Sequence, residues 1–268
     1  MSSLKPWHRK LGNTGISVSP IGLGTVKLGR NSGVKYPDSF SIPNDQEASN
    51  LLAQAAELGI NLLDTAPAYG NSEERLGKLL SGQRERWIIC SKAGEEFDPA
   101  TGESHYDFSA DFIRRSVERS LQRLKTDCID LLLIHSNGND LDIIHKNAAL
   151  ETLNALKKEG KIRATGMSTK TVEGGILAAD FSDCVMATWN LDYDAELPVI
   201  DYCQRINKGV LIKKALASGH LQHKNSEDPV TDALRMMLSH EGVSSIILGT
   251  INPAHLQTNV ATSIKVLA

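Results

Sequence analysis

The chain has 268 residues, of which 41% are hydrophobic and 23% are charged, and its formal net charge is −3. This is the composition of an ordinary globular protein with a sizeable core. Because the net charge is small and no block of like charges occurs, nothing indicates a nucleic-acid partner or an anionic membrane surface. No apolar run approaches the roughly 20 residues that span a bilayer, and the N-terminal segment lacks the apolar core of a signal peptide.

The four cysteines are widely separated and form no CxxC pair, which argues against a zinc site or a thioredoxin-like site. Cys90, Cys128 and Cys184 lie in or beside apolar runs, where a cysteine is usually a small buried hydrophobic residue. We therefore expect a reduced, cytoplasmic environment and no metal site.

Short apolar runs rich in Ile, Val and Leu predict β-strands along the whole chain. They cover residues 17–25, 61–66, 87–94, 129–136, 162–169, 184–190, 209–216 and 244–250. Most of these runs are continuously apolar rather than alternating, as expected when both faces of a parallel sheet are covered.

Helical periodicity fills the segments between the strands. The clearest patterns are at 45–59, 109–126, 148–161 and 229–242, and weaker ones are at 73–81, 171–179, 195–207 and 253–266. Gly59 is a plausible helix stop, and Ser109 is a plausible helix cap.

This alternation predicts an α/β fold, a (β/α)8 TIM barrel that takes up residues 1–268 as a single domain. An open doubly wound sheet is the alternative, but it would normally need fewer strands or a second domain. The motif GLGTVK at 22–27 approaches a dinucleotide-binding fingerprint, yet Lys27 replaces the third glycine and no helix clearly follows. Residues 8–17 predict a hairpin with its turn at 13–15, which would plug the bottom of the barrel.

Ionisable residues stand at the ends of several predicted strands. Asp64 ends the second strand with Tyr69 in the loop behind it, and Lys92 and His135 end the third and fourth strands. Each has a commonplace explanation on its own, such as a turn-capping Asp, a hydrogen-bonded core His or a solvated Lys. The carboxyl ends of barrel strands form the active-site face, so their occurrence together favours a catalytic site.

The chemistry of these four residues is coherent. A buried Lys92 needs a counter-charge, which Asp64 on the neighbouring strand can supply. An ammonium group near Tyr69 would stabilise the phenolate and lower a pKa that is normally about 10, so that the phenol can act as a general acid. His135 can hold the substrate oxygen or relay protons.

These residues resemble the aldo-keto reductase family over nearly the whole chain. The matching stretches are KLGNTGISVSPIGLGT, LLDTAPAYGNSEERLG, IICSKAG, IDLLLIHS and KKEGKIRATGMST. The resemblance implies a (β/α)8 barrel that binds an extended nicotinamide cofactor, with Asp64, Tyr69, Lys92 and His135 as the catalytic tetrad. It implies hydride transfer to a carbonyl carbon, protonation of the oxygen by Tyr69, and no metal.

The resemblance also implies the positions that bind the cofactor. They are Gly24, Thr25, Ser168, Thr169, Lys213, Leu216, Gly249, Thr250, Asn252, His255 and Asn259. Three positions depart from the family pattern: Thr169 replaces an asparagine, Met186 a glutamine, and Lys213 the tyrosine that stacks on the nicotinamide. A lysine there should repel an oxidised, positively charged ring.

The 2′-phosphate site is not evident from the residues, since Gly249 and His255 align with positions that are usually basic. A helix N-terminus at Asn252 and Pro253 would attract phosphate through free N–H groups. The family resemblance favours NADP(H), and NAD(H) remains possible.

Three functions are open at this point. The first is reduction of a small-molecule aldehyde or ketone, in which the segments 27–45 and 95–108 and Trp189 shape the pocket. The second is a non-catalytic subunit that binds a nicotinamide cofactor and regulates a partner, which the changes at Met186 and Lys213 would allow. The third is a barrel aldolase with Lys92 as Schiff-base nucleophile. The sequence specifies neither the substrate nor the oligomeric state.

Overall fold

The computed structural model describes residues 7–220 and 226–268. In chain order the strands are β1 (Arg9–Lys10), β2 (Ser17–Val18), β3 (Ile21–Gly24), β4 (Leu62–Asp64), β5 (Ile88–Ala93), β6 (Glu95–Asp98), β7 (Glu103–Tyr106), β8 (Ile129–His135), β9 (Ile162–Ser168), β10 (Cys184–Thr188), β11 (Gly209–Lys213) and β12 (Ser245–Leu248). Eight of them form a closed parallel barrel in the order β10, β11, β12, β3, β4, β5, β8, β9. The predicted (β/α)8 barrel is confirmed, and each predicted strand contributes one barrel strand.

Helices connect the barrel strands and surround them. They are α1 (Val26–Gly29), α2 (Asp45–Glu57), α3 (Ser72–Leu79), α4 (Ala110–Leu124), α5 (Asp140–His145), α6 (Ala149–Lys158), α7 (Val172–Phe181), α8 (Leu197–Arg205), α9 (Pro229–Leu238) and α10 (Pro253–Leu267). The predicted helices are all present, and the short helices α1 and α5 were not predicted. Asn44 and Glu47 form a capping box at the start of α2, and the Ser109 hydroxyl caps α4.

The predicted hairpin closes the bottom of the barrel. Strands β1 and β2 pair in antiparallel register, with Arg9 opposite Val18. Leu11, Ile16 and Val18 are buried in one cluster with side chains that fill the barrel interior, among them Leu62, Cys90, Leu131, Met186 and Leu211. A separate, larger cluster lies between the barrel wall and the helices. The barrel is therefore a packed core, open only at its other end.

A second hairpin, which the sequence analysis left as a loop, follows β5. Strands β6 and β7 pair in antiparallel register, with Glu95 opposite Tyr106 and Asp98 opposite Glu103. Gly94 makes the turn out of β5 possible, because its φ of +101° favours glycine and an added Cβ would lie 2.6 Å from the Phe108 ring. This hairpin lies at the carboxyl end of the barrel and places Glu95 beside the strand ends.

The parallel strands bring their final residues to one rim. Asp64 ends β4, His135 ends β8, Ser168 ends β9 and Lys213 ends β11, and Lys92 is the penultimate residue of β5. Residues 1–6, for which no signal peptide is predicted, lie outside the described residues. Within 7–220 and 226–268, no helix is long and apolar enough to cross a membrane. In the same ranges, no group of three or more His, Cys, Asp or Glu side chains is arranged to hold a metal ion.

Candidate active site

The structure brings the four predicted catalytic residues together at the rim of the barrel. The Lys92 Nζ atom donates to Asp64 Oδ1 at 2.5 Å and to the carbonyl oxygen of Thr65 at 2.9 Å. The Tyr69 hydroxyl donates to Asp64 Oδ2 at 3.3 Å. Lys92 Nζ also lies 4.6 Å from the centre of the Tyr69 ring, and the ring centroids of Tyr69 and His135 are 6.3 Å apart.

Local backbone geometry delivers Tyr69 to this position. A single 3-10 turn, Pro67–Tyr69, follows β4, and Gly70 then leaves it with a φ of +62°. A Cβ at Gly70 would lie 2.2 Å from the carbonyl oxygen of Gly29, so only glycine fits. Arg30 donates to the carbonyl oxygen of Ala68 at 2.9 Å, which holds the turn against α1.

Asp64 and Lys92 form a buried ion pair. The side chain of Lys92 is 1% exposed and that of Asp64 is 4% exposed. Burial alone lowers the pKa of Lys92, but the charge of Asp64, with smaller contributions from Tyr69 and Cys90, raises the pKa above its usual value. Lys92 is therefore a permanent cation at physiological pH.

The pKa of Tyr69 corrects the sequence-based expectation. Burial of the phenol raises its pKa, and the Asp64 carboxylate raises it further. Lys92 lowers the pKa, as predicted, but this effect is smaller than the other two. The net direction is therefore upward, and Tyr69 carries its proton throughout the physiological pH range.

His135, the fourth member of the tetrad, is partly buried and has a partner that the sequence analysis did not identify. Its Nδ1 atom lies 2.8 Å from Oε2 of Glu95. Burial lowers the pKa of His135, Glu95 opposes this effect, and the positive charges of Lys92 and Lys213 reinforce it. The net direction is downward, so the imidazole is mainly neutral at pH 7.

Lys213 points across the barrel towards the end of β9. Its Nζ atom donates to the Ser168 hydroxyl at 2.9 Å and to the carbonyl oxygen of Thr169 at 2.5 Å. Burial lowers the pKa of Lys213 to about 8, although Glu196 works in the opposite direction. Lys213 therefore changes from its cationic to its neutral form within the pH range in which the protein can be studied.

A cavity of about 640 Å³ extends from the tetrad to the first turns of α9 and α10. All four tetrad residues line it. So do eight of the predicted cofactor positions: Gly24, Ser168, Lys213, Leu216, Gly249, Thr250, His255 and Asn259. This size lies in the range of about 300–1,000 Å³ that is usual for small-molecule and cofactor sites.

The other three predicted cofactor positions do not line the cavity. Thr25 is fully buried and donates to the carbonyl oxygen of Asp64 at 2.9 Å, so it supports the tetrad from behind. Thr169 presents its carbonyl oxygen to Lys213. Asn252 caps α10 by accepting from the backbone N–H groups of Ala254 and His255.

The cap at Asn252 overturns the expectation of free N–H groups at this helix N-terminus. Pro253 has no N–H, and the next two N–H groups are bonded to the Asn252 side chain. The backbone N–H of Leu256 donates to the carbonyl oxygen of Asn252 at 2.9 Å. The first turn of α10 therefore offers side chains to a ligand rather than free backbone donors.

Two further side chains belong to the site and were not identified from the sequence. Glu95 is one of them, and the other is Tyr36 from the segment between α1 and α2. The Tyr36 ring lines the cavity, with Lys27 Nζ 4.0 Å from its centre. Glu95 stands only three positions after Lys92 in the sequence, but neither Glu95 nor Tyr36 lies in a periodic pattern that would have identified it.

Comparison with known proteins agrees with the fold. The model of the aldo/keto reductase family matches residues 20–232. The fold matches the crystal structure of a Pseudomonas aeruginosa protein assigned, without a named substrate, to the aldo-keto reductases. The TM-score is 0.89, the identity is 54%, and the match covers 97% of this chain and 95% of the other.

Two other relatives cover most of the chain. An aldo-keto reductase from Bacillus halodurans, solved in its holo form, is 25% identical with a TM-score of 0.81, over 95% of this chain and 90% of its own. L-galactose dehydrogenase of Arabidopsis thaliana is 28% identical over 94% of this chain and 86% of its own length. From its barrel, its strand-end residues and these matches, we conclude that the chain belongs to the aldo/keto reductase family of oxidoreductases.

Proposed function

We propose that this protein reduces an aldehyde or ketone to an alcohol with NADP(H), and that Tyr69 is the general acid. The observation that carries the proposal is the contact set at the cavity floor, where one carboxylate, Asp64, bonds both the Lys92 ammonium and the Tyr69 phenol. A buried phenol held between a cation and an anion is suited to proton transfer rather than to packing.

The lining of the cavity fits an extended nicotinamide cofactor. Ser168, Thr250 and Asn259 offer hydroxyl and amide groups to polar atoms of a ligand. Gly24 and Gly249 leave space along one wall, where an added Cβ would lie 3.1 Å from the Ile247 side chain and 3.0 Å from the Tyr36 hydroxyl, respectively. When bound, such a cofactor supplies the hydride.

The chain's own residues supply the proton and stabilise the negative charge that its transfer leaves behind. Tyr69 donates its proton to the carbonyl oxygen as negative charge develops there, and Lys92 stabilises the phenolate that results. Asp64 fixes the Lys92 ammonium and keeps this part of the site from carrying an uncompensated charge. His135 meets the Tyr69 ring edge-on, with 6.3 Å between the ring centroids, and interacts with the substrate oxygen.

A panel of small aldehydes, ketones and aldoses tests the function directly. Aldoses belong in the panel because L-galactose dehydrogenase is a relative. Carbonyl-dependent oxidation of NADPH, followed by its absorbance, is the expected result. Tight NADPH binding without turnover of any member would instead support the alternative, a cofactor-binding regulatory subunit, which the presence of Met186 and Lys213 in the cavity wall favours.

The preference for NADPH over NADH is expected to be small. The family resemblance supports NADP(H), but at the α9 and α10 end of the cavity the lining includes the carboxylate of Asp228 as well as His255. We expect the two dissociation constants to differ by less than about tenfold, equivalent to about 1.4 kcal/mol. Fluorescence titration with each reduced cofactor measures the ratio, and a ratio of a hundredfold or more would contradict this interpretation of the wall.

Lys213 is expected to make binding of the oxidised cofactor depend on pH. Since its pKa is lowered to about 8, Lys213 is cationic at pH 7 and repels a positively charged ring, and it becomes neutral at pH 9. The affinity for the oxidised cofactor should therefore rise between these pH values, by roughly fivefold to tenfold. Affinity for the reduced cofactor, whose ring is uncharged, should change much less.

The variant Lys213→Met isolates this effect. Titration of the variant should show a pH-independent affinity for the oxidised cofactor that is at least as high as that of the wild type at pH 9. Lys214→Met is the matched control, because Lys214 also lines the cavity but has no bond to Ser168. An unchanged pH dependence in Lys213→Met would remove Lys213 from this role.

A further inference from the structure

Glu95 is a buried acid outside the tetrad that contacts one of its members. It is the first residue of β6, and its Oε2 atom lies 2.8 Å from Nδ1 of His135. The side chains of Glu95 and His135 are 12% and 20% exposed, respectively. Among the described residues Nδ1 makes no hydrogen bond of good geometry, so its contact with Oε2 of Glu95 is electrostatic.

Residues of the hairpin surround the carboxylate of Glu95. Tyr106 is opposite Glu95 in the register of β6 and β7, and the hydroxyls of Tyr106 and Ser104 both favour the ionised form of Glu95. Burial raises the pKa of Glu95, but His135, Ser104 and Tyr106 together bring the pKa down to about 2. Arg30 adds a positive charge nearby. Glu95 is therefore ionised at every pH at which the protein is expected to work.

An ionised carboxylate constrains the imidazole beside it. A carboxylate oxygen at 2.8 Å is attracted to an N–H group and repelled by a nitrogen lone pair, so it favours the hydrogen on Nδ1. A neutral imidazole has only one N–H. The Nε2 atom, on the opposite edge of the ring, then carries a lone pair in the neutral form, and it carries a hydrogen only in the imidazolium form.

We infer that Glu95 is a positioning residue, which fixes the neutral Nδ1–H tautomer of His135 and so leaves the other ring nitrogen, Nε2, without a hydrogen in the neutral form. The inference rests on the proposed function in so far as His135 interacts with the substrate oxygen. Only the imidazolium form of His135 then donates a hydrogen bond to a carbonyl oxygen, while Tyr69 remains the group that exchanges a proton with the substrate. Glu95 thereby makes carbonyl reduction sensitive to pH.

The groups around His135 set the sense of that sensitivity. Glu95 on β6 favours the imidazolium, while Lys92 on β5 and Lys213 on β11 disfavour it, and Tyr69 meets the ring edge-on. Because burial lowers the pKa of His135 below its ordinary value, the donating form is present at low pH and is lost as pH rises. The kcat/KM for reduction should therefore fall as pH rises.

The variant Glu95→Gln tests the inference without turnover. A glutamine can place its amide N–H₂ against Nδ1, which would move the ring hydrogen to Nε2. The nitrogen-15 NMR shifts of His135, assigned with His135→Asn, distinguish the two tautomers in the ligand-free protein. We expect Nδ1–H in the wild type and Nε2–H in Glu95→Gln.

Glu96→Gln is the matched control. Glu96 is the adjacent residue of the same strand, and it accepts from the Ser116 hydroxyl at 3.0 Å and pairs with Arg119 rather than with His135. The Glu96→Gln variant should keep the wild-type Nδ1–H tautomer of His135. The Glu95→Asp variant, which retains a carboxylate, should also show Nδ1–H in at least part of the molecules. An Nε2–H tautomer in the wild type, or a Glu95→Gln spectrum identical to that of the wild type, would overturn the inference.

Kinetics separates this inference from the proposed function. In Glu95→Gln, the neutral imidazole donates from Nε2 at every pH, so the pH dependence of reduction attributed to His135 should disappear. If the tautomers are as expected but no carbonyl is reduced, the proposed function fails while the role of Glu95 as the tautomer-fixing residue stands. If turnover occurs with the same pH profile in both proteins, the inference fails while the function stands.

Discussion

Replacing Tyr69 by phenylalanine is expected to reduce turnover by about a hundredfold to ten-thousandfold. This is the usual contribution of a positioned general acid. The substitution removes one hydroxyl, which lies 3.3 Å from Asp64, and leaves the ring in place. Cofactor affinity should therefore stay within about threefold of the wild-type value. Steady-state kinetics and fluorescence titration on the same preparation measure the two effects separately.

Tyr202→Phe is the matched control for this experiment. The Tyr202 hydroxyl donates to Asp180 at 2.7 Å, away from the cavity, so its loss should not affect turnover. Appreciable activity in Tyr69→Phe would show that another group protonates the substrate. A loss of cofactor binding in Tyr69→Phe equal to the loss of turnover would assign the phenol to binding instead.

Replacing Asp64 by asparagine is expected to destabilise the fold as well as abolish activity. Lys92 is 1% exposed, so the substitution leaves a buried cation without its carboxylate. Breaking a buried pair in this way costs about 3–5 kcal/mol, or roughly 10 °C in Tm for a domain of this size. Because the folded-state pKa of Lys92 is raised, this stabilisation is fully present below the unfolded-state pKa, and it is lost only as pH rises through the folded-state pKa.

The double variant Asp64→Asn, Lys92→Met distinguishes an uncompensated charge from general damage. Removing both charges should recover most of the lost stability, while activity stays absent because the tetrad is incomplete. Arg235→Met is the control, since its pair with Asp232 is exposed and should contribute less than about 1 kcal/mol. If Asp64→Asn unfolds with the same free energy as the wild type, the pair does not stabilise the barrel.

The barrel, and the meeting of Asp64, Tyr69, Lys92 and His135 at its rim, were predictable from the sequence for one physical reason. Strands buried on both faces are continuously apolar, so a charged residue at the end of such a run, like Asp64 or Lys92, stands out. Parallel connectivity then brings the strand ends to one rim without further information. The plug at Leu11 and Ile16 was predictable because a short turn signal precedes the first strand.

Glu95 and Tyr36 were not predictable because they come from insertions between a strand and its helix. The hairpin that carries Glu95 is short and partly exposed, so its residues show no core-facing periodicity. Tyr36 lies in a segment without regular structure, whose path follows from tertiary contacts such as the Lys27 ammonium over its ring. Neither kind of placement leaves a pattern in the order of residues.

Two sequence-based expectations were wrong because they ignored what burial and capping do. Lys92 lowers the pKa of Tyr69, as predicted, but the depth of the phenol and the carboxylate of Asp64 outweigh it. Asn252 is a strong capping residue, and it bonds the N–H groups that were expected to be free for phosphate. The second of these was visible in the sequence, since Asn252 directly precedes Pro253.

The central claim is that the cavity at the tetrad transfers hydrogen between a nicotinamide cofactor and a carbonyl carbon. Isotope transfer tests it most directly, with NADPH deuterated on the transferable position of C4, the best carbonyl of the panel, and mass spectrometry of the alcohol. The account predicts that the deuterium appears on the carbinol carbon with wild-type protein and that Tyr69→Phe forms the deuterated product at least about a hundredfold more slowly. An alcohol product without deuterium, or equal rates of labelling by both proteins, would contradict it.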